Sequence, residues 1–238
     1  MPAAVAPRTS ATGLDWRQLG VLALVLAGVW LLWHTWWVYP LKILVVLFHE
    51  LSHALAAIAT GGRVAGIELL AQEGGLCRTL GGNRFLTLSA GYLGSLVWGG
   101  LLLLAASRSR LDQLVTTALG ALLLLVSLVW VRPIFSFGFP FALLAGAALT
   151  WVGLQASERV NDVLLKVIGL TSMLYALLDI KDDILARPHL KESDAAMLSQ
   201  MTGIPTLVWG LIWIALALVG AVAFLAMAGK VKPKSRSI

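Results

Sequence analysis

The chain has 238 residues, a formal charge of +6 and one cysteine, and 59% of it is hydrophobic against 13% charged. At a mean hydropathy of +0.87 it has too few polar residues to coat a water-soluble domain, in which about 25% are charged. Lipid is therefore the expected solvent, and the positive charge reads as flanks of membrane spans rather than a nucleic-acid surface. The lone Cys77 excludes an internal disulfide and a multi-cysteine metal site.

Residues 1–19 read as a flexible polar tail containing Arg8 and Arg17. The apolar run after it ends in Trp36 and Trp37 without a small-residue cleavage pattern, so it is expected to stay as a span rather than be removed as a leader. A crossing helix needs about 20 apolar residues. By that rule seven spans are expected, near 20–38, 41–60, 85–106, 113–131, 134–155, 163–186 and 205–228. Arg132-Pro133 divides the fourth from the fifth, since proline lacks a donor and disfavours helix just before it. Gly91, Ser95 and Gly99 recur every four residues in the third span, a stripe that lets another helix approach closely.

Two stretches are not spans. Residues 61–84 are glycine-rich, with short apolar runs at 64–70 and 76–80 separated by Gln72-Glu73-Gly74-Gly75, the pattern of a β-hairpin at the membrane edge. Residues 187–203 are polar and read as a loop outside the hydrocarbon. The expected fold is an all-α polytopic membrane protein with a short β-hairpin-like insertion after the second of about seven helices. It forms one membrane-embedded domain over 20–228, followed by a basic tail over 229–238 containing Lys230, Lys232, Lys234 and Arg236. Lysine and arginine are shared about equally between the loops of the two faces, so charge assigns no orientation.

The second span contains His49-Glu50-Leu51-Ser52-His53. Two histidines four apart on a helix project from one face, the spacing at which two imidazoles share a zinc ion. Glu50, one step round, is placed to act as general base toward water at that ion. Ionisable groups within a span mark functional sites, because lipid disfavours them.

A catalytic zinc takes three protein ligands, and no third histidine follows the motif at a suitable spacing. His34 lies at a span end and His189 in the polar loop. In the sixth span Asp179, Asp182 and Asp183 share roughly one side, so depth is the criterion. At about 1.5 Å per residue, Asp179 lies about 12 Å inside a helix ending near 187, and His53 and His49 lie about 12 and 18 Å from the end of the second span. Asp179 is the expected ligand. Asp183 lies nearer the rim, within reach of Arg187, and is the alternative ligand or a residue that orients one.

These features resemble the site-2 protease family of intramembrane zinc metalloproteases, in its compact B-type branch. The resemblance begins with Phe48-His49-Glu50-Leu51-Ser52-His53-Ala54 and Thr60-Gly61-Gly62-Arg63. It continues through Ala90-Gly91-Tyr92-Leu93-Gly94-Ser95 and Leu178-Asp179, and ends with Ser193-Asp194-Ala195 and Val208-Trp209-Gly210. It departs from the family where Ile180 replaces the glycine after Leu-Asp and where no Asn-Pro pair precedes Asp179. The resemblance implies one zinc held by His49, His53 and Asp179, with Glu50 as base, and a membrane-protein substrate cut within the bilayer. The 61–84 strands would either pair with the unwound substrate or cover the cavity mouth. Two other classes fit the same residues: a catalytically silent member that binds partner transmembrane helices, and a metal or proton transporter, although no related halves are visible.

Overall fold

The computed structural model describes residues 13–186 and 193–230. Residues 1–12 of the expected tail and 231–238 of the basic tail lie outside them. The elements in chain order are α1 (Trp16–Leu31), α2 (Tyr39–Ala59), β1 (Arg63–Leu70), β2 (Gly74–Leu80) and α3 (Arg84–Arg108). Then follow α4 (Asp112–Trp130), α5 (Gly138–Gln155), α6 (Glu158–Lys181), α7 (Asp194–Thr202) and α8 (Thr206–Ala228). A π turn, Asp182–Ala186, continues α6. Among the described residues six helices, α2 to α6 and α8, are long and apolar enough to cross a membrane. The all-α polytopic fold with one small hairpin is as expected.

The first expected span is where the helices differ. α1 begins at Trp16, inside the stretch read as tail, because the Asp15 side chain accepts hydrogen bonds from the backbone N–H groups of Arg17 and Gln18. It holds 16 residues, about 24 Å of helix against a hydrocarbon layer of about 30 Å. The chain then turns: the Thr35 hydroxyl donates to the Leu32 carbonyl at 2.6 Å, and Pro40 opens α2 in its first turn, where a missing N–H is harmless.

α2 is the most enclosed of the six, with 72% of its apolar window buried against 22% for α8. Ile43, Val45, Leu47, Phe48 and Ala54 are fully buried on it, so its polar motif faces protein rather than lipid. α3 packs against α2, α6 and α8, while α4 pairs with α5. Close packing replaces the hydrophobic effect as the force between helices in lipid, and glycines supply it. A Cβ on Gly99 would lie 2.5 Å from the Gly169 carbonyl of α6, and one on Gly146 would lie 3.0 Å from the Gly120 carbonyl of α4.

β1 and β2 pair antiparallel, with Ile67 opposite Cys77 and Leu70 opposite Gly74. The outer edge of β1 is occupied where the Arg132 backbone N–H donates to the Ile67 carbonyl at 2.8 Å. β2 packs against α2. At the hairpin base Gly62 and Gly82 pack so tightly that a Cβ on either would lie 2.9 Å from the Ala57 carbonyl. The hairpin therefore lies along α2, over the motif.

Candidate metal centre

The i, i+4 spacing sets both imidazoles of α2 on one face, with ring centroids 4.7 Å apart. His53 Nδ1 lies 2.6 Å from the Thr87 carbonyl of α3. That bond calls for a proton on Nδ1 and leaves Nε2 as the ligating atom, the usual way a carbonyl orients a metal-binding histidine. His49 stands edge-on to Tyr92 at 5.0 Å.

The carboxylate that meets both histidines is Asp194. Its Oδ2 lies 3.1 Å from His49 Nε2 and 3.2 Å from His53 Nε2. Among the described residues, His49, His53 and Asp194 form the one group of three or more such side chains placed to hold a metal ion, with ligand atoms all within 4.8 Å of one another. Ligand atoms about 2.0–2.1 Å from a tetrahedral zinc stand ~3.3 Å apart, so the donor set and its spacing suit that ion.

Asp194 arrives there because, within the stretch read as a loop, residues 193–203 include the helix α7 rather than a plain loop. Ser193 caps α7, its hydroxyl accepting from the Ala196 N–H at 3.3 Å, and Asp194 follows as the first helical residue, 6% exposed. Gly91 makes the room, since a Cβ there would fall onto His49 Nε2 and the Asp194 carboxylate. The small-residue stripe thus does two things: Gly91 admits the site and Gly99 admits α6. Burial pushes the Asp194 carboxyl up, but His53 and His49 outweigh it and hold the group well below the usual carboxylate range.

Asp179, the expected ligand, lines the same cleft but is not in the three-residue group. Asp183 is buried in the π turn and accepts a short hydrogen bond from the Tyr92 hydroxyl, which ties it to the ring beside His49. In the sequence Asp194 stood out only within Ser193-Asp194-Ala195, one of the stretches that carry the resemblance, with no spacing that assigns it a ligand's part.

Glu50 is 5% exposed. The Cys77 backbone N–H donates to its carboxylate, and Gly75 lies so close that a Cβ there would collide with it. β2 is therefore in contact with the one carboxylate of the motif. Cys77, half-buried, has its thiol pushed up to about 12, by burial first and then by the Glu50 and Asp194 carboxylates. These groups line a cleft of about 750 Å³ bounded by β2 on one side and by α3, α6 and α7 on the other.

The chain belongs to the Peptidase M50B-like family, whose model matches residues 21–224. That match covers nearly the whole chain and agrees with the resemblance to site-2 proteases read from its motifs. No curated protein and no solved structure matches it.

Proposed function

We propose that the chain is an intramembrane zinc metalloendopeptidase, hydrolysing peptide bonds within or near transmembrane segments of membrane-protein substrates. The observation that carries this reading is the convergence of one Asp194 oxygen on both Nε2 atoms, beside Glu50, in an open cleft. His49, His53 and Asp194 would hold one zinc, a set whose spacing supports it over the expected one containing Asp179. Zinc, when bound, supplies a Lewis acid that polarises the scissile carbonyl and acidifies water.

The chain's own residues do the rest. Glu50, oriented by the Cys77 N–H, takes a proton from the water whose oxygen adds to the carbonyl carbon. It then delivers that proton to the amide nitrogen as the C–N bond breaks, so that an amine and a carboxylate leave. A helical substrate first has to unwind, because its carbonyls are engaged in i→i−4 bonds. The β2 edge facing the cleft supports recognition of the unwound segment as an added strand.

The six apolar helices support six crossings, with α1 entering the layer without traversing it. The Asp15 N–H donates to the Gly229 carbonyl at 2.7 Å and the Gln18 side chain to the Ala228 carbonyl at 2.6 Å. The start of α1 therefore sits on the face where α8 ends, and an even number of crossings brings α2 in from that same face.

The test is Glu50→Gln beside wild type, co-reconstituted with a single-span substrate. The amide keeps the carboxylate's size but cannot accept the proton. Cleavage should fall to background while bound zinc stays near one per chain. A variant that cleaves at the wild-type rate refutes the mechanism. Wild type that binds a substrate helix without cutting it points to a silent binding protein.

A further inference from the structure

Lys42 is a buried cation on an otherwise apolar stretch of α2, seven residues before His49 and so on nearly the same helix face. Its Nζ donates to both oxygens of Glu73, at 2.8 and 3.0 Å, and sits 5.2 Å from the Trp33 ring centroid. Glu73 is the tip of the hairpin. It holds a left-handed backbone, φ +62°, which a side-chain-bearing residue adopts at a cost and keeps only where its surroundings fix it. Two hydroxyls add to the fixing: Tyr175 of α6 donates to the Glu73 carbonyl at 3.1 Å, and Tyr39 to the Ala71 carbonyl at 2.8 Å. The base of the hairpin is already pinned at Gly62 and Gly82. With the tip pinned as well, the placement of β2 against Glu50 is determined at both ends.

We propose that Lys42 and Glu73 are positioning residues: their ion pair clamps the hairpin tip, fixes the β2 edge against Glu50, and thereby sets which bond of a substrate strand lies at the His49–His53–Asp194 cluster. The proposal rests on the protease reading for its substrate half, but the clamp itself is a property of the hairpin. Neither residue touches the reacting atoms. They act through the Gly75–Cys77 segment, which contacts Glu50 directly.

Cys77 is the only thiol in the chain and lies in that segment, so it reports hairpin position without an added probe. The experiment uses full-length, zinc-loaded Lys42→Met, Glu73→Gln and Lys42→Arg beside wild type, measuring maleimide labelling of Cys77, bound zinc and the cleaved bond in a single-span substrate. Lys42→Met and Glu73→Gln should each label about tenfold faster, the change in open population expected when a part-buried pair no longer opposes local opening. They should also spread cleavage over neighbouring bonds, while keeping their zinc. Lys42→Arg, which preserves the pair, should stay close to wild type in both. Unchanged labelling, or faster labelling with a single unchanged cut, overturns the proposal. Loss of zinc from both variants also overturns it, since the pair would then serve the whole fold rather than the hairpin. Wild type that cuts nothing counts against the protease reading, while the labelling rates still decide whether the clamp exists.

Discussion

Replacing Asp194 with asparagine removes the negative charge between two imidazoles while keeping the side chain's size. Two neutral histidines then face the ion alone in a site of low dielectric. Asp194→Asn should weaken zinc binding by more than the ~100-fold typical of losing a supporting hydrogen bond, whereas Asp179→Asn should keep one zinc per chain. Elemental analysis of the two proteins, purified side by side, checks this; the opposite ranking returns the ligand to α6. The histidines and Glu50 could be read from sequence because helical spacing alone places them together. The carboxylate could not. Depth along α6 is legible from residue count, but its bearing around the helix axis depends on packing that no single-helix pattern records. Asp194 reaches the site only through the folding back of a polar segment, which has no periodicity to read.

At the level of elements, the hairpin was readable because two short apolar runs flank a glycine pair, and the structure adds what each edge does. β1 is engaged by Arg132, and β2 faces the cleft with Cys77 bonded to Glu50. A thiol at about 12 carries a consequence for its chemistry, because only the thiolate attacks an alkylating reagent. Raising pH deprotonates it, so its labelling rate should climb about tenfold per pH unit and continue climbing past pH 9, where an ordinary cysteine levels off. At neutral pH it should react roughly a thousandfold more slowly than an unburied thiol. A plateau near pH 9 in iodoacetamide kinetics would mean that β2 does not keep Cys77 buried near the Glu50 and Asp194 carboxylates. The helix in 187–203 was not legible, since α7 has 9 residues, too short for an apolar face to stand out.

For the whole molecule, hydropathy locates apolar runs but does not say whether each one traverses the layer. Six of the seven expected spans became long helices. The first became a 16-residue helix tied by its beginning to the end of α8. Seven crossings would put Gly13 and Lys230 on opposite faces, whereas the proposed six put them on the same one. In a Cys77→Ser background, Gly13→Cys and Lys230→Cys should react with a membrane-impermeant maleimide from the same side of oriented vesicles. Labelling from opposite sides would show that α1 traverses after all.

The cluster also has an order in time. His49 and Asp194 are 145 positions apart, and synthesis at about 5–20 residues per second puts roughly 7–30 s between their emergence from the ribosome. During that interval the two histidines are already made but the carboxylate that meets them is not. Under the proposed zinc-protease reading, a nascent chain therefore lacks its full ligand set while its own unpaired helices enter the bilayer around it. The three-residue cluster is completed almost last, after α3 has been made and the helix bearing Asp194 has packed back onto it.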